Sequence, residues 1–241
     1  MDINTAIALS RLSAQQRAMD VTATNIANAG TPGYQAERTV FADWLSHTGN
    51  GETIAFTQDR ATWRDTTPGA LSRTGNPLDV ALSGPGYFTV QTAQGIRLTR
   101  AGHFSLSAGG ALTDGLGNQV LDSNGRPIQF APADTGITIA GDGTISSRNG
   151  QIARLAVVSV AEPQKLVAEG GRLLNPDATS AAPIPRPRLT QGAIEDSNIQ
   201  PTLELTRMMA DLREFQFTSQ FIQAEADRQQ GAIGKITQQR S

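Results

Sequence analysis

The sequence predicts a mixed fold, mainly β with α, in which an antiparallel all-β central domain is flanked by N- and C-terminal helices that pair as a coiled coil. Near both ends of the 241-residue chain, apolar residues recur at alternating spacings of three and four, the pattern of a coiled-coil seam. Between the ends, short β-prone segments alternate with turn residues. Fifteen of the 24 glycines lie between residues 69 and 150, so the middle of the chain is dense in turns.

The N-terminal helix is predicted over residues 3–28, within a first segment of residues 1–30. Gly30 and Pro32 set its end, since proline lacks the amide hydrogen that would continue a helix. The residues of its seam share one face at heptad spacing: Leu9, Leu12, Met19 and Ile26. We therefore expect this face to pack against a second helix.

The second segment, residues 31–68, is predicted to be an extended connector with a short helix near residues 38–46. Threonine, aspartate, glycine and scattered aromatic residues occur here without a sustained period. The sequence therefore predicts no larger element in this segment.

The third segment, residues 69–190, is predicted to be the β domain. Asn-Gly and Asp-Gly pairs supply the positive φ angles that tight hairpins need, and the proline-rich stretch 183–187 closes the domain as stiff, extended chain. The longest candidate strand, Ile152–Val160, is expected to be central. The other candidates are Leu78–Leu82, Tyr87–Gln91, Arg97–Thr99, Phe104–Leu106, Gln119–Leu121 and Ile137–Ile139.

The fourth segment, residues 191–241, is predicted to contain the C-terminal helix, from about Pro201 to about residue 235. The seam residues on this helix are Leu205, Met208, Leu212, Phe215 and Ile222. A second apolar stripe contains Phe217 and Phe221, and one partner helix cannot cover it as well as the seam. Because aligned, exposed apolar residues mark association surfaces, we expect this stripe to contact other chains.

Composition excludes several classes of function. The chain has 20 basic and 22 acidic residues and no basic patch, so we expect no nucleic-acid partner. It has no cysteine, and its two histidines, His47 and His103, lie outside any cluster, so no catalytic residue, metal ligand or cofactor is predicted and we do not expect an enzyme. No apolar run approaches the ~20 residues of a membrane helix. The N-terminus also lacks the basic and apolar regions of a secretory signal.

The sequence leaves the roles of four residues open. Tyr34, which follows Pro-Gly, is either an interface anchor or a packed aromatic residue of the connector. Arg100 either pairs with Asp79 or is solvated. Asn28 is expected to cap the end of the first helix, whereas Asn25 either caps it or bonds across subunits.

Several residue strings are similar to those of a known family. Residues 24–34 read Thr-Asn-Ile-Ala-Asn-Ala-Gly-Thr-Pro-Gly-Tyr, and residues 74–82 read Thr-Gly-Asn-Pro-Leu-Asp-Val-Ala-Leu. The other strings are residues 84–88, 99–104, 142–145 and 197–199. Together and in this order, they resemble the motifs of bacterial flagellar rod and hook proteins, although the family usually has Asn where Thr24 stands and Asp where Pro85 stands. The matching residues are Asn25, Asn28, Thr31, Pro32, Gly33, Tyr34, Gly75, Asn76, Asp79, Gly86, Phe88, Arg100, Gly102, Phe104 and Asn198.

The resemblance implies a structural subunit of the flagellar basal-body rod, a helical tube that transmits motor torque across the periplasm to the hook. It implies that the terminal helices form the inner wall, with the β domain outside. The implied partners are copies of this chain, the other proximal and distal rod subunits, and the flagellar type III export apparatus, which needs no cleaved signal. Length and the strings at 75–77 and 198–201 are most similar to proximal-rod members, with distal-rod members second.

An alternative function is that of a secreted stalk or tip protein, which would present a β domain on a helical stem. The two functions differ in the helix faces that they need. A polymer needs contacts on several faces of its helices, whereas a stalk needs only one. The exposure of the second stripe therefore discriminates between them.

Overall fold

The computed structural model describes residues 3–47, 53–170, 172–176 and 180–238. The chain divides into two compact units. The first, the helical unit, takes its residues from 1–27, 37–63 and 200–241. The second, the β unit, takes its residues from 28–36 and 64–199.

Two long helices dominate the helical unit: α1 (Ile3–Ala27) and α2 (Pro201–Gln238). α1 ends one residue before the predicted bound, and α2 runs three residues further than predicted. The two helices contact each other along the unit. The prediction of an N-terminal and a C-terminal helix is thus confirmed.

A hairpin from the connector also belongs to the helical unit. Strand β1 (Glu37–His47) pairs with strand β2 (Thr53–Arg64). The short helix predicted near residues 38–46 is therefore wrong. The run Thr39-Val40-Phe41 is β-branched or aromatic, and such residues favour extended backbone over helix.

The β unit contains the other strands of the described residues, most of them three to six residues long. They are β3 (Leu71–Arg73), β4 (Val80–Leu82), β5 (Tyr87–Thr92), β6 (Gly95–Thr99), β7 (Phe104–Leu106), β8 (Leu112–Asp114), β9 (Gln119–Val120), β10 (Thr138–Ile139), β11 (Thr144–Ser147), β12 (Gly150–Arg154), β13 (Val157–Val160), β14 (Val167–Glu169), β15 (Leu173–Asn175), β16 (Ala181–Pro183), β17 (Leu189–Gln191) and β18 (Ala193–Glu195).

The pairings within the β unit are antiparallel, as predicted. The largest sheet has the order β14-β15-β6-β5-β9-β8-β7, and β13 joins it through β5 and also pairs with β16. β10-β11-β12 form a three-stranded sheet. β17 pairs with β4 and β18 with β3, so the end of the β region returns to its beginning.

Two details of the strand prediction differ from the structure. The predicted strand Ile152–Val160 is two strands, β12 and β13, which belong to different sheets. At the break, the Ala156 N–H donates to the Leu121 carbonyl, so the chain changes partners there. The last strand, β18, also ends five residues beyond residue 190, the predicted end of the β domain.

The core of the β unit is apolar and centres on two phenylalanines. Phe88 and Phe104 are fully buried and meet edge to face, with ring centroids 5.3 Å apart. Gly102 lies beside Phe88. Only glycine fits at this position, because a Cβ there would stand 1.7 Å from the Val80 carbonyl oxygen. Gly86, at φ +136°, takes a conformation that L side chains rarely adopt. Four residues of the family motifs are therefore explained by packing and backbone geometry.

Candidate assembly surface

α1 and α2 bury a narrow seam against each other. On α2, buried or half-buried residues recur with heptad spacing: Glu204, Met208, Asp211, Phe215, Thr218, Ile222 and Glu225. On α1, the most buried residues are small or polar: Ala8, Ala14, Gln15, Thr22 and Asn25. Small side chains in a seam allow two helices to approach closely.

The seam is displaced by one residue from the predicted one. Leu205 and Leu212 were expected in it, but they are 49% and 45% exposed, and their preceding neighbours Glu204 and Asp211 face inward. On α1, Leu9 is likewise 51% exposed, and Ala8 takes its place. The expected seam positions of these three leucines are therefore wrong.

Other predicted seam residues are less exposed than these leucines. Met208, Phe215 and Ile222 of α2 are half-buried, as are Leu12, Met19 and Ile26 of α1. The buried carboxylate of Glu204 is tolerated in the displaced row because it is paired. The Glu204 carboxylate accepts hydrogen bonds from Arg38 at 2.8 and 2.9 Å and from Arg207 at 2.8 Å. A paired carboxylate can be buried where a lone one cannot.

One exposed flank of the helix pair forms an apolar groove, which we call the aromatic groove. Phe217 and Phe221 of α2 line it and are 73% and 51% exposed. The other lining residues include Ile7 and Ala8 of α1 and Thr218 of α2. The groove has a volume of about 420 Å³. Both side chains are therefore largely exposed in the single chain.

A second exposed apolar surface, the leucine face, consists of Leu9, Leu205, Met209 and Leu212, each 45–56% exposed. Leu212 and Phe221 are nine residues apart, which is about 180° around a helix with 3.6 residues per turn. Leu9 is two residues from Ile7, about 200° around α1. Met209 and Phe217 are eight residues apart, about 80° around α2, so the leucine face and the aromatic groove are distinct exposed surfaces of the helix pair but not strictly opposite ones.

Asn25 holds the base of the hairpin. Its side chain is fully buried, and its amide donates to the Glu37 carbonyl at 2.8 Å and accepts from the Glu37 N–H at 2.9 Å. This is the pairing that a neighbouring strand would provide. Asn25 thus bonds within the chain, to β1. Asn28 holds the turn after α1, where its carbonyl accepts from the Thr31 N–H at 3.0 Å.

In the β unit, Asn198 joins three segments of the chain. Its Oδ1 accepts from the Ala36 N–H at 2.8 Å, and its Nδ2 donates to the Asp65 and Thr67 carbonyls at 2.9 Å each. Its own N–H donates to the Tyr34 carbonyl at 3.3 Å. The Tyr34 ring is 5% exposed and packs with buried neighbours, so in this structure it is a packed connector residue.

Gly33, which follows Pro32 in the same loop, makes a close backbone approach. It has φ +69°, and its N–H donates to the Glu195 carbonyl at 2.7 Å. A Cβ at this position would stand 2.5 Å from the carbonyl carbon of Arg100 and from the amide nitrogen of Ala101. The family motif therefore has glycine here because no side chain fits.

Arg100 and Glu195 form a buried ion pair in the β unit. The guanidinium donates from Nε to Glu195 Oε2 and from Nη1 to the Gly86 carbonyl, both at 2.7 Å. The two side chains are 5% and 2% exposed. The Gly69 N–H donates to the other Glu195 oxygen at 3.1 Å. Arg100 thus pairs with a residue that neither open interpretation named.

Asp79 is the centre of a separate polar cluster. It is 2% exposed and accepts from Thr74 Oγ1 at 2.6 Å and from Asn76 Nδ2 at 3.0 Å. His103 Nδ1 lies 2.7 Å from the same carboxylate. Gly75, at φ +74°, shapes the turn that brings these groups together. The cluster holds the loop before β4.

Sequence reasoning missed two buried carboxylates, Glu195 and Glu204. Glu204 lies in the first turn of α2, where its negative charge also favours the helix N-terminus. Arg100, which pairs with Glu195, and Arg38, which pairs with Glu204, are far away in the sequence, so local patterns carry no signal for these two pairs. Within the described residues, no group of three metal-ligating side chains comes together, and no helix is long and apolar enough to cross a membrane.

Replacing Asn198 by alanine should destabilise the β unit by about 1–3 kcal/mol, because the buried Ala36 N–H and two carbonyls lose their partner. Hydrogen exchange at amides of the β unit, measured at increasing urea concentrations, gives the loss of unfolding free energy. Asn149→Ala is the matched control, since this amide also bonds a carbonyl but is exposed. Equal losses in the two variants would contradict the role of Asn198.

The pKa of Asp211 is raised above its ordinary value, chiefly by burial and then by the Glu214 charge, with Arg207 opposing. The folded chain thus holds this proton more tightly than the unfolded chain, and stability falls as pH rises from 3.8 towards the raised pKa. Asp211→Asn should therefore stabilise the helix pair at pH 7, by less than about 1 kcal/mol since the group is half-exposed.

The gain from Asp211→Asn should disappear in acid, where the wild-type carboxyl is also neutral. Thermal melts followed by far-ultraviolet circular dichroism at neutral and acid pH measure it. Asp227→Asn, an exposed site on the same helix, is the control. A gain that persists or grows in acid would count against burial as the cause.

Three family models match the chain in order. They are "Flagella basal body rod protein" at residues 6–35, "Flagellar hook protein FlgE/F/G D1 domain" at residues 81–147, and "Flagellar basal body rod FlgEFG protein C-terminal" at residues 190–234. The first falls on α1 and the turn after it, the second on the strands from β4 to β11, and the third mainly on α2.

Full-length relatives agree with these matches. FlgF of Mesorhizobium japonicum is 32% identical, over 94% of this chain and 95% of the relative. FlgF of Salmonella typhimurium is 33% identical, over 97% of each, and FlgG of Bacillus subtilis is 32% identical, over 86% of this chain and 89% of the relative. All three are flagellar basal-body rod proteins by name, and none is named as an enzyme. This chain therefore belongs to the flagellar basal-body rod protein family, and its place is the basal body of the flagellum.

Proposed function

We propose that this chain is a structural subunit of the rod that assembles through α1 and α2 into a helical tube, and that this tube transmits motor torque across the periplasm. The observation that supports this most is the pair of distinct exposed apolar surfaces on the helical unit. Two different surfaces on one chain give a heterologous contact, and heterologous contacts produce filaments when the rotation does not close. A stalk protein would need only the seam.

The helix pair itself is proposed to be a coiled coil. The rows Glu204, Asp211 and Thr218, and Met208, Phe215 and Ile222, alternate at spacings of three and four, which is the spacing of a coiled-coil seam. The division into residues 1–30, 31–68, 69–190 and 191–241 also stays a proposal. In it, the β domain lies outside the tube that the helices form.

The remaining parts of the proposal concern partners and delivery. The proposed neighbours are copies of this chain and the other proximal and distal rod subunits, and similarity to FlgF favours the proximal rod. Delivery is proposed to occur through the flagellar type III export apparatus, without a cleaved signal. The proposed assembly residues are those of the seam, the aromatic groove and the leucine face.

Deleting the gene from its own bacterium tests the proposed function. Electron microscopy of purified basal bodies should then show rods that end near their base, and swimming should be lost. Expression of the chain from a plasmid should restore both. Intact flagella in the deletion strain would overturn the proposal.

A further inference from the structure

We infer that Asn124 is a site of spontaneous deamidation, in which its side-chain amide is converted to aspartate or isoaspartate. The inference does not depend on the proposed rod function. Asparagine followed by glycine favours this reaction, because glycine has no side chain to hinder its backbone nitrogen. The described residues contain two such pairs, Asn124-Gly125 and Asn149-Gly150, and a third, at residues 50–51, lies outside them.

The reaction needs only water. The backbone nitrogen of Gly125 bonds to the side-chain carbonyl carbon of Asn124, and the proton of the Gly125 N–H passes through solvent to the amide nitrogen, which leaves as ammonia. Water then opens the resulting succinimide ring: its hydroxyl joins a carbonyl carbon, and its proton goes to the ring nitrogen. Opening at one carbonyl gives aspartate, and opening at the other gives isoaspartate. Nothing is oxidised or reduced.

The backbone surroundings of the two pairs are similar. Asn124, Asn149 and the glycines that follow them are exposed. A Cβ at Gly125 or Gly150 would meet no atom within 4 Å, so ring closure meets no neighbouring group. The Gly125 N–H donates to the Asp122 carbonyl at 2.9 Å, and Gly150 begins strand β12, which pairs with β11. A difference in rate then comes from the asparagine side chains.

The side-chain amide of Asn149 is held more firmly than that of Asn124. Asn149 Nδ2 donates to the Ala133 carbonyl and to Asp134 Oδ1, both at 3.1 Å. Asn124 Nδ2 makes one long contact, 3.4 Å to Asp122 Oδ2 in its own turn. The side chain must rotate towards the glycine nitrogen before attack, and Asn149 must first break two bonds, one of them to a carboxylate. Asn124 therefore reaches the reactive geometry more often.

Deamidation changes the turn that contains Asn124. Asp122 Oδ1 accepts hydrogen bonds from the N–H groups of Asn124 and Arg126, both at 2.8 Å. The reaction adds a negative charge beside this carboxylate, and isoaspartate adds one carbon atom to the backbone between the two donors. The two hydrogen bonds then lose their common geometry. The exposed turn should therefore open while the core of the β unit stays folded.

Ageing of the purified full chain tests the inference. The folded chain is incubated in slightly alkaline buffer, and peptide mapping by mass spectrometry follows the aspartate and isoaspartate forms at both positions. Asn124 should convert about tenfold faster than Asn149, the factor for one additional hydrogen bond to a charged group. In urea, where both side chains are released, the two rates should become similar, because glycine follows both residues.

Asp134→Ala is the matched control, since it removes one acceptor of the Asn149 amide and leaves the hydrogen bonds of the Asn124 turn in place. Conversion at Asn149 should rise several-fold, while an unchanged rate at Asn124 shows that the β unit is still folded. Asn124→Gln should abolish conversion at that position. Equal rates in the folded wild-type chain, a faster rate at Asn149, or no conversion at either position while the chain in urea converts would overturn the inference.

Discussion

Replacing Arg100 with methionine is expected to lower the free energy of unfolding of the β unit by about 3–5 kcal/mol. The change leaves the Glu195 carboxylate, which is 2% exposed, without its cation. It also removes the donor to the Gly86 carbonyl. A buried charge that has lost its partner cannot be hydrated, so the loss exceeds that of a surface pair.

Hydrogen exchange at the amides of β5 and β6 in increasing urea measures this loss in the β unit. Tryptophan fluorescence does not serve here, since both tryptophans, Trp44 and Trp63, belong to the helical unit. Arg97→Met is the matched control: its partner, Glu169, is 35% exposed, so the carboxylate left behind is hydrated and the loss should be smaller. Combining Arg100→Met with Glu195→Leu should recover much of the stability. Equal losses for Arg100→Met and Arg97→Met would contradict the buried-pair explanation.

The helices could be predicted from sequence because their signal is local and long. α1 and α2 each carry many turns of one periodic pattern, and Pro201 fits the start of α2. Local sequence does not determine which of two adjacent rows of side chains faces the other helix. Leu205 is more apolar than Glu204, so hydrophobicity favours Leu205 in the seam, but Arg38 from the hairpin pairs with Glu204 and reverses the choice.

The hairpin of β1 and β2 was missed for a related reason. Its composition shows β-branched and aromatic residues but no clear alternation, and at residues 37–41, where the side chains are described, both faces of β1 are partly exposed. Val40 and Phe41, which are neighbours in the sequence, are 40% and 42% exposed. Asn25 of α1 then supplies the backbone hydrogen bonds that hold the hairpin base.

Most family-motif residues turn out to hold the β unit or the hairpin together within one chain. Gly33 allows a close approach of two backbone segments, Arg100 forms a buried ion pair, and Asn198 joins three segments of the chain. The aromatic groove and the leucine face lie on the helices instead. Assembly should therefore respond most to substitutions at exposed apolar residues of α2, where the fold has little to lose.

Leu212→Asp is expected to prevent incorporation of the chain into rods and to abolish swimming. Leu212 is 45% exposed in the leucine face, so the variant should keep the stability of the free chain within about 0.5 kcal/mol. In the assembled rod, the same carboxylate would enter an apolar contact, where burial of an unpaired charge costs several kcal/mol. The cost recurs at each contact between copies.

Phe215→Asp should also stop assembly, but by a different route. Phe215 is half-buried in the seam between α1 and α2, so its replacement should weaken the helix pair in the free chain. Circular dichroism of the two purified variants separates the causes: helix content should fall for Phe215→Asp and stay near wild type for Leu212→Asp.

The control for Leu212→Asp is Gln220→Asp, which adds the same charge to an exposed polar position of α2 between the two surfaces. Swimming in soft agar and electron microscopy of basal bodies should show normal rods for Gln220→Asp and none beyond the base for Leu212→Asp. The comparison separates the charge from its position, because both variants carry one added carboxylate on one helix. If Leu212→Asp cells build full rods, apolar contact through this face does not hold the subunits together, and assembly must depend on the seam or on the β unit.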